Sequence, residues 1–446
     1  MTSTSPVKKI GILGHVGNEN LGDEAIISAV IQNIKSRLPT AEICGFTIRP
    51  EDTLQRHHIA AVRLRRRTAN SSAEMAKSNS SSGLSHDDQR TGILSKLKSR
   101  LNRIPCLPFA YRKFQELITF MYVVVVEPVF LVRCYQCMAG VDLLLIAGSS
   151  QLIDYVVGGA WGHPYTILKW TLLAKLRNAK VAFISCGAGP VQTRLGRLFL
   201  RLSLSIADYR SCRDEGSRMY VEKLGVSKAI KVFPDLAYGL HVDEASTRGR
   251  TSVRRPVIGI NAVPFSDPKA WVGGGTVVYQ AYILKLAMFA RWLISRGYAV
   301  TFFPTQLRAD PAVVNDLLRL TTGLTEKELR QHIVECRINS FDDLAKTISL
   351  THMVVSTRFH GIVISYLVNK PVLGIAYAEK THDLMKQMGQ AEYVIDILSF
   401  DLAQIQERFI ALEKKQNEIK VEIFERLAGF RTALAQQYEE AFDLIL

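Results

Sequence analysis

Short apolar runs alternate along the chain with longer segments whose apolar residues return every three or four positions. Residues 8–38 (KKIGILGHVGNENLGDEAIISAVIQNIKSRL) set the pattern. A β-rich run gives way to a Gly/Asn loop. The segment after it places Ile26, Ile27, Val30, Ile31, Ile34 and Leu38 on one face, the period of a helix lying against a sheet. AEICGFTI is the next expected strand. The alternation resumes at Val141, with VDLLLIAGSS as strand and Gly loop, TILKWTLLAKLRN as helix, KVAFISCGAG as strand and a helix through Arg197 to Ala207. A polar linker follows (His241 to Pro256). Then come VIGINAV, a helix around YILKLAMFARWLISRG, strand YAVTFFPTQ, a helix near DPAVVNDLLRL, strand HMVVS, helix GIVISYLVNK, strand PVLGIAYA and a long helical tail after Leu402.

This rhythm is that of parallel sheets covered by helices, and 446 residues exceed what one core of roughly 250–300 residues accommodates. The expected fold class is therefore α/β, with two doubly wound Rossmann-like domains facing a cleft and a C-terminal helical tail. The expected domains are residues 1–245 and residues 246–446, the tail included in the second. The first carries an insertion at about 68–100, Ser-rich and without apolar periodicity.

Composition adds little to the fold but bears on partners. The 48% hydrophobic and 22% charged residues exclude a mostly disordered chain. Of the net charge of +15, a surplus of ten lies between Arg56 and Lys113, where 13 Lys and Arg face 3 Asp and Glu. The surface there should attract anions, an anionic membrane face among them. Nucleic acid fits poorly, because stacking aromatics are missing until Phe109, Tyr111 and Phe114. The adjoining run LITFMYVVVVEPVFLV is 16 residues long and broken by Glu127 and Pro128. That is short of the roughly 20 residues a spanning helix needs, so a buried or interfacial helix is expected. Seven scattered cysteines, and a start without the apolar core and cleavage site of a secretory signal, lead us to expect a reducing cytoplasm. Cys134 and Cys137 form a single CxxC with no second pair to complete a zinc site, so no metal is expected.

Two loops stand out chemically. Gly14 to Ala25 lies between strand and helix and offers Gly17, Asn18, Asn20, Gly22, Asp23 and Glu24. Its glycines permit close backbone approach to a ligand at a helix N-terminus. The pattern is not GxGxxG, and the structural alternative is that Asp23 caps the helix while Gly22 permits the turn. Ser356-Thr357-Arg358-Phe359-His360-Gly361 places Arg358 at the carboxyl end of a strand, where a guanidinium grips phosphate or carboxylate through two parallel hydrogen bonds. His360 follows and titrates near neutral pH. The alternative pairs Arg358 with an acid and satisfies His360 with backbone. Arg213 in SCRDEGS and His163 in GGAWGHP are further candidates, with Asp214 or Glu215 as the cap beside Arg213.

NENLGDEAI, LLLIAGSSQLID, ISCGAGP, SCRDEGS, VFPDLAYGL and STRFHGIVISYLVNKPVLGIAY together resemble the polysaccharide pyruvyl transferase family over most of residues 8–400. The resemblance implies a glycosyltransferase B-like fold and transfer of pyruvate from phosphoenolpyruvate to a sugar of a cell-surface polysaccharide or its precursor, commonly as a ketal. It makes Arg358 and His360 the anion-binding and catalytic Arg-x-His pair, and Arg213 and His163 their partners from the other domain. His360, or failing that His163, would be the general acid. Asp23, Glu24 or Asp214 would take the acceptor's proton, and Gly17, Asn18, Asn20 and Gly22 would approach substrate. Ala147-Gly148-Ser149-Ser150 departs from the family's Gly-Gly pair, which questions a close backbone approach there. No cofactor is implied. The expected partners are phosphoenolpyruvate, a saccharide or lipid-linked saccharide, and an anionic membrane in peripheral contact at its cytoplasmic face. Rival readings are a nucleotide-sugar glycosyltransferase of the same architecture and a non-catalytic anion- or membrane-binding protein.

Overall fold

A computed structural model describes residues 7–14, 17, 19–66, 127–154, 159–242, 255–268, 270–271, 274–322 and 331–446. The Ser-rich insertion, most of the basic segment, the whole of LITFMYVVVV, most of the linker and Asn18 lie outside these residues. Two compact units emerge, residues 1–63 with 141–446, and residues 64–140. In the second, residues 127–137 are helical, with Val129 and Val132 exposed.

The first unit holds two sheets. Strands β1 (Lys9–Leu13), β2 (Glu42–Thr47), β3 (Ala60–Arg63), β4 (Leu143–Ala147), β5 (Lys180–Cys186), β6 (Tyr209–Cys212) and β7 (Lys231–Val232) form one, ordered β3-β2-β1-β4-β5-β6-β7. Strands β8 (Val257–Asn261), β9 (Ala299–Phe302), β10 (Met353–Ser356), β11 (Val372–Ala376) and β12 (Val394–Asp396) form the other, ordered β12-β11-β10-β8-β9. Every pairing is parallel. Helices cover the faces, so a strand such as β4, all five residues buried, reads as an unbroken apolar run.

Helices α1 (Leu21–Arg37), α2 (Pro50–His57), α3 (His163–Leu176), α4 (Arg194–Ile206) and α5 (Glu215–Lys223) accompany the first sheet. With the second go α6 (Thr276–Ser295), α7 (Asp310–Thr322), α8 (Phe341–Ser349), α9 (Phe359–Leu367), α10 (Glu379–Gln387) and α11 (Leu402–Lys414). Among the described residues α6 is the one helix long and apolar enough to cross a membrane, and half of its apolar stretch is buried in the fold. Each sheet reverses its strand order, between β1 and β4 and between β8 and β10, and such reversals leave a crevice outside the carboxyl ends of the strands.

The last helix, α12 (Gln416–Phe442), returns to the first sheet. Gln437 accepts from Ser185 and Ser211 on β5 and β6 and donates back to Ser185. Tyr209 and Lys231 both donate to Glu440, at 2.9 and 2.7 Å. A helix that follows the second sheet in sequence thus serves the first in space.

The loop before α1 joins the two sheets directly. Leu21 N–H donates to the Thr305 carbonyl and Leu307 N–H to that of Glu19, both at 2.9 Å. The Glu19 carboxylate accepts from Arg49 on one side and Arg308 on the other. These two charges hold its pKa below the ordinary value although burial opposes them.

Candidate functional site

The strand ends of both sheets meet around a cavity of about 350 Å³. From the first sheet come Asn20 and Asp23 after β1, Ser149 and Ser150 after β4, and Arg213 after β6. From the second come Thr305 and Gln306 after β9, Arg358 and His360 after β10, and Tyr377 and Lys380 after β11.

The N-cap of α1 is Asn20, whose side chain accepts from Gly22 N–H at 3.2 Å. The alternative in which Asp23 caps the helix is therefore set aside. Asp23 instead accepts from Asn20 Nδ2 at 2.8 Å and from Ser149 Oγ at 2.7 Å, which fixes its carboxylate at the cavity wall. Ser149 makes that reach with a left-handed φ of 54°, a conformation a serine adopts at some cost. The AGSS sequence thus supplies a hydroxyl where a glycine pair would supply none. Gly22 does not serve the turn either. It lies inside the first turn of α1, and a Cβ there would stand 2.1 Å from His360 Cγ. The missing side chain is the room in which the imidazole sits. Gly22→Ala is expected to displace that ring and lower turnover by about 10²-fold while the fold persists. Combining it with His360→Ala should add no further loss, and additive losses in steady-state kinetics would disprove the link.

Arg213 is buried and held by three acceptors: Asp214 at 3.3 Å, Asp235 at 3.4 Å and Ser150 at 3.3 Å. Its guanidinium lies 4.3 Å from the centroid of Phe359, so an arginine of the first sheet rests on an aromatic face of the second. Asp214, not Glu215, caps α5, accepting from Ser217 N–H at 2.6 Å.

Arg358 is the N-cap residue of α9, so the open N–H groups of that helix lie beside it. Its Nε donates to Asp310 at 3.1 Å, and Nη2 bonds the same oxygen. Asp310 has no exposed surface, whereas the Arg358 side chain keeps 21% of its own. The arginine is thus both paired to an acid and open to the cavity. Burial works against its charge, but Asp310 outweighs burial and the pKa is raised.

His360 Nε2 is buried and has no hydrogen-bond partner among the described residues, so the reading of an imidazole satisfied by backbone does not hold for that nitrogen. Burial lowers its pKa, Asp23 and Asp235 pull upward, and Arg213 and Lys380 add to the lowering. The balance leaves the imidazole below its ordinary value, so the neutral ring is favoured in the free protein.

His163 is not part of the wall. It is buried at the start of α3, where its Nε2 meets Gln151 Oε1 at 2.7 Å. Gly17 also lies away from the cavity, its N–H donating to Glu24 at 3.1 Å. Glu24 points to the opposite side of α1 and pairs with His57 at 2.6 Å.

Lys380 and Tyr377 were not anticipated. Tyr377 is the next-to-last residue of the predicted strand PVLGIAYA and Lys380 follows it, and their position at its carboxyl end was the available signal. Asp310 was read only within a helical segment. Among the described residues no three His, Cys, Asp or Glu side chains gather as a metal site. The cavity thus concentrates three cations, a buried imidazole nitrogen and a fixed carboxylate, a set suited to holding a small anion and moving protons at it.

Known proteins share this fold. The UDP-GlcNAc 2-epimerase of Neisseria meningitidis, solved with UDP-GlcNAc, superposes with a TM-score of 0.54 at 13% identity over 98% of this chain and 99% of that one. A glycosyltransferase from Rickettsia africae ESF-5 gives 0.53 at 11% identity over 99% of each chain. At such identities the likeness is one of fold, the two-domain glycosyltransferase B-like arrangement expected from the sequence. The amylovoran biosynthesis protein AmsJ of Erwinia amylovora is 24% identical over 271 residues, 58% of this chain and 62% of that relative. The chain therefore spans a little under two thirds of its length. The polysaccharide pyruvyl transferase family model runs from residue 20 to residue 379, from the Asn20 cap through the Arg358–His360 pair to the residue before Lys380. By that match across most of its length, the chain belongs to the polysaccharide pyruvyl transferase family.

Proposed function

We propose that this protein transfers the pyruvate group of phosphoenolpyruvate to a sugar of a cell-surface polysaccharide or its precursor, forming a ketal. The observation that carries the reading is the convergence of Arg213, Arg358, Lys380 and His360 on one cavity of about 350 Å³. Family membership and the amylovoran biosynthesis name of the relative support it.

The donor carries a phosphate and a carboxylate. Two guanidinium groups from different sheets suit a pair of bidentate clamps, and Lys380 adds a point charge. An arriving dianion supplies the opposite charge that raises the pKa of His360, so binding itself loads the imidazole with a proton. His360 then protonates C3, leaving an oxocarbenium-like C2. A sugar hydroxyl adds there and passes its proton to Asp23. Phosphate departs with the proton that Asp23 took, and a second hydroxyl closes the ketal, its proton returning to His360. The net change is phosphoenolpyruvate plus a diol giving ketal plus inorganic phosphate. We place this chemistry on the cytoplasmic side, with acceptor drawn from a saccharide or lipid-linked saccharide and the basic segment in peripheral contact with anionic lipid.

Incubation with acceptor extract and either labelled phosphoenolpyruvate or a labelled sugar nucleotide tests the reading. Label from the first should enter an acid-labile product; label entering only from the second would replace this reading with glycosyl transfer. Arg358→Lys should raise the KM for phosphoenolpyruvate about tenfold or more, because an ammonium cannot reproduce the guanidinium fork, roughly 1.4 kcal/mol per decade. An unchanged KM would remove Arg358 from donor binding.

A further inference from the structure

A second cavity, of about 460 Å³, lies on the other side of α1. Its wall is again shared between the two sheets' elements. Glu24, Ser28, Gln55 and His57 come from α1 and α2, and Phe341 and Asp342 from the first turn of α8. Its volume falls within the roughly 300–1,000 Å³ of small-ligand sites.

The two cavities differ in charge. The first holds Lys380, which has no ion pair among the described residues, beside the paired Arg213 and Arg358, whereas the positive groups of the second, Arg56 and His57, are both paired. Arg56 donates to Asp52 at 2.9 Å and to the Asn339 carbonyl at 3.0 Å, tying α2 to the segment before α8. His57 is held at 2.6 Å by Glu24, whose other oxygen accepts from Gly17 N–H. Ser28 Oγ stands 3.5 Å from His57 Nδ1. What remains toward the space is the amide of Gln55, the hydroxyl of Ser28, the carboxylate of Asp342 and the half-buried ring of Phe341. An anion would find carboxylates and no available cation. A neutral polyol finds acceptors and donors for its hydroxyls and an aromatic surface for its C–H face.

We infer that this second cavity binds a neutral saccharide, the part of the acceptor glycan that does not react. The saccharide class follows from the lining alone; its role as acceptor rests on the proposed function. Adjacent residues of α1, Asp23 and Glu24, line the two cavities, so the helix itself separates donor chemistry from this seat. Affinity for a short glycan is expected in the millimolar range, since few contacts must offset the cost of ordering it.

The test uses the full chain and saturation-transfer NMR with lactose, cellobiose and maltose, alongside titration with phosphoenolpyruvate. At least one disaccharide should bind. Phe341→Leu, which keeps an apolar anchor but removes the ring, and Gln55→Ala should each weaken that binding about tenfold while leaving phosphoenolpyruvate affinity unchanged. If Phe341→Leu fails to fold, Gln55→Ala reads the same contact. Disaccharide binding unaffected by both variants, or none at 50 mM, roughly tenfold above the expected range, overturns the inference even if phosphoenolpyruvate binds and turns over. Variant-sensitive disaccharide binding in a protein indifferent to phosphoenolpyruvate supports the saccharide seat and overturns the proposed donor instead.

Discussion

Replacing His360 by alanine is expected to lower turnover by about 10²- to 10⁴-fold, the contribution of a positioned acid–base group, while the KM for phosphoenolpyruvate changes little. The split follows from the geometry. Arg213, Arg358 and Lys380 remain to hold the proposed donor, whereas the only buried nitrogen in the wall without a partner among the described residues is removed. The pH dependence carries a second signature. Because burial sets the imidazole pKa of the free protein below its ordinary value, kcat/KM should fall as pH rises from a point below about 6.5, with the descending limb lost in the variant. Stability runs the other way. The unfolded chain takes up a proton on His360 more readily than the folded one. Its contribution is therefore whole above about 6.5 and is lost as pH falls toward the depressed folded value. Measured turnover of the alanine variant within about twofold of the parent would remove the acid role.

Asp310→Ala is expected to be the most damaging single change outside the packed core, lowering stability by about 3–5 kcal/mol. The carboxylate has no exposed surface and neutralises Arg358. It also accepts from Thr305 and Gln306 N–H at 3.0 and 2.9 Å. Thr305 accepts from Leu21 N–H and Gln306 bridges Asn20, contacts that join the two sheets. Removing it leaves a charge and backbone donors without their partner and loosens that junction. A urea-midpoint series should show the loss, and Asp310→Asn, which keeps an acceptor, should recover part of it. The KM for phosphoenolpyruvate should rise with it, because Arg358 loses the contact that aims its fork. A midpoint shift equivalent to less than about 1 kcal/mol, the worth of an exposed pair, would show that the aspartate is not the anchor.

The contrast between these two residues marks how far the sequence was legible. His360 and Arg358 announce themselves because they lie directly after an apolar strand, where a parallel sheet exposes side chains at its crevice. Arg213 does so for the same reason after β6, as would Lys380 after β11. His163 fails the same rule, since a Gly-rich stretch constrains no direction. Gly22 was legible as a glycine but not in its purpose: its neighbour is His360, 338 positions away in the chain.

By itself the sequence determined the alternation of buried strands and one-sided helices, hence two parallel sheets, and placed arginine and histidine at strand ends where anions bind. Those are consequences of local periodicity and of the rule that parallel strands need crossovers. Only the tertiary structure decided that Asn20 rather than Asp23 caps α1, that Asp310 anchors Arg358, and that α12 returns to the first sheet. It alone could show that a glycine in one motif makes the space for an imidazole in another. These depend on which loops meet, and the meeting is set by the packing of whole helices and sheets, which no short stretch of residues encodes.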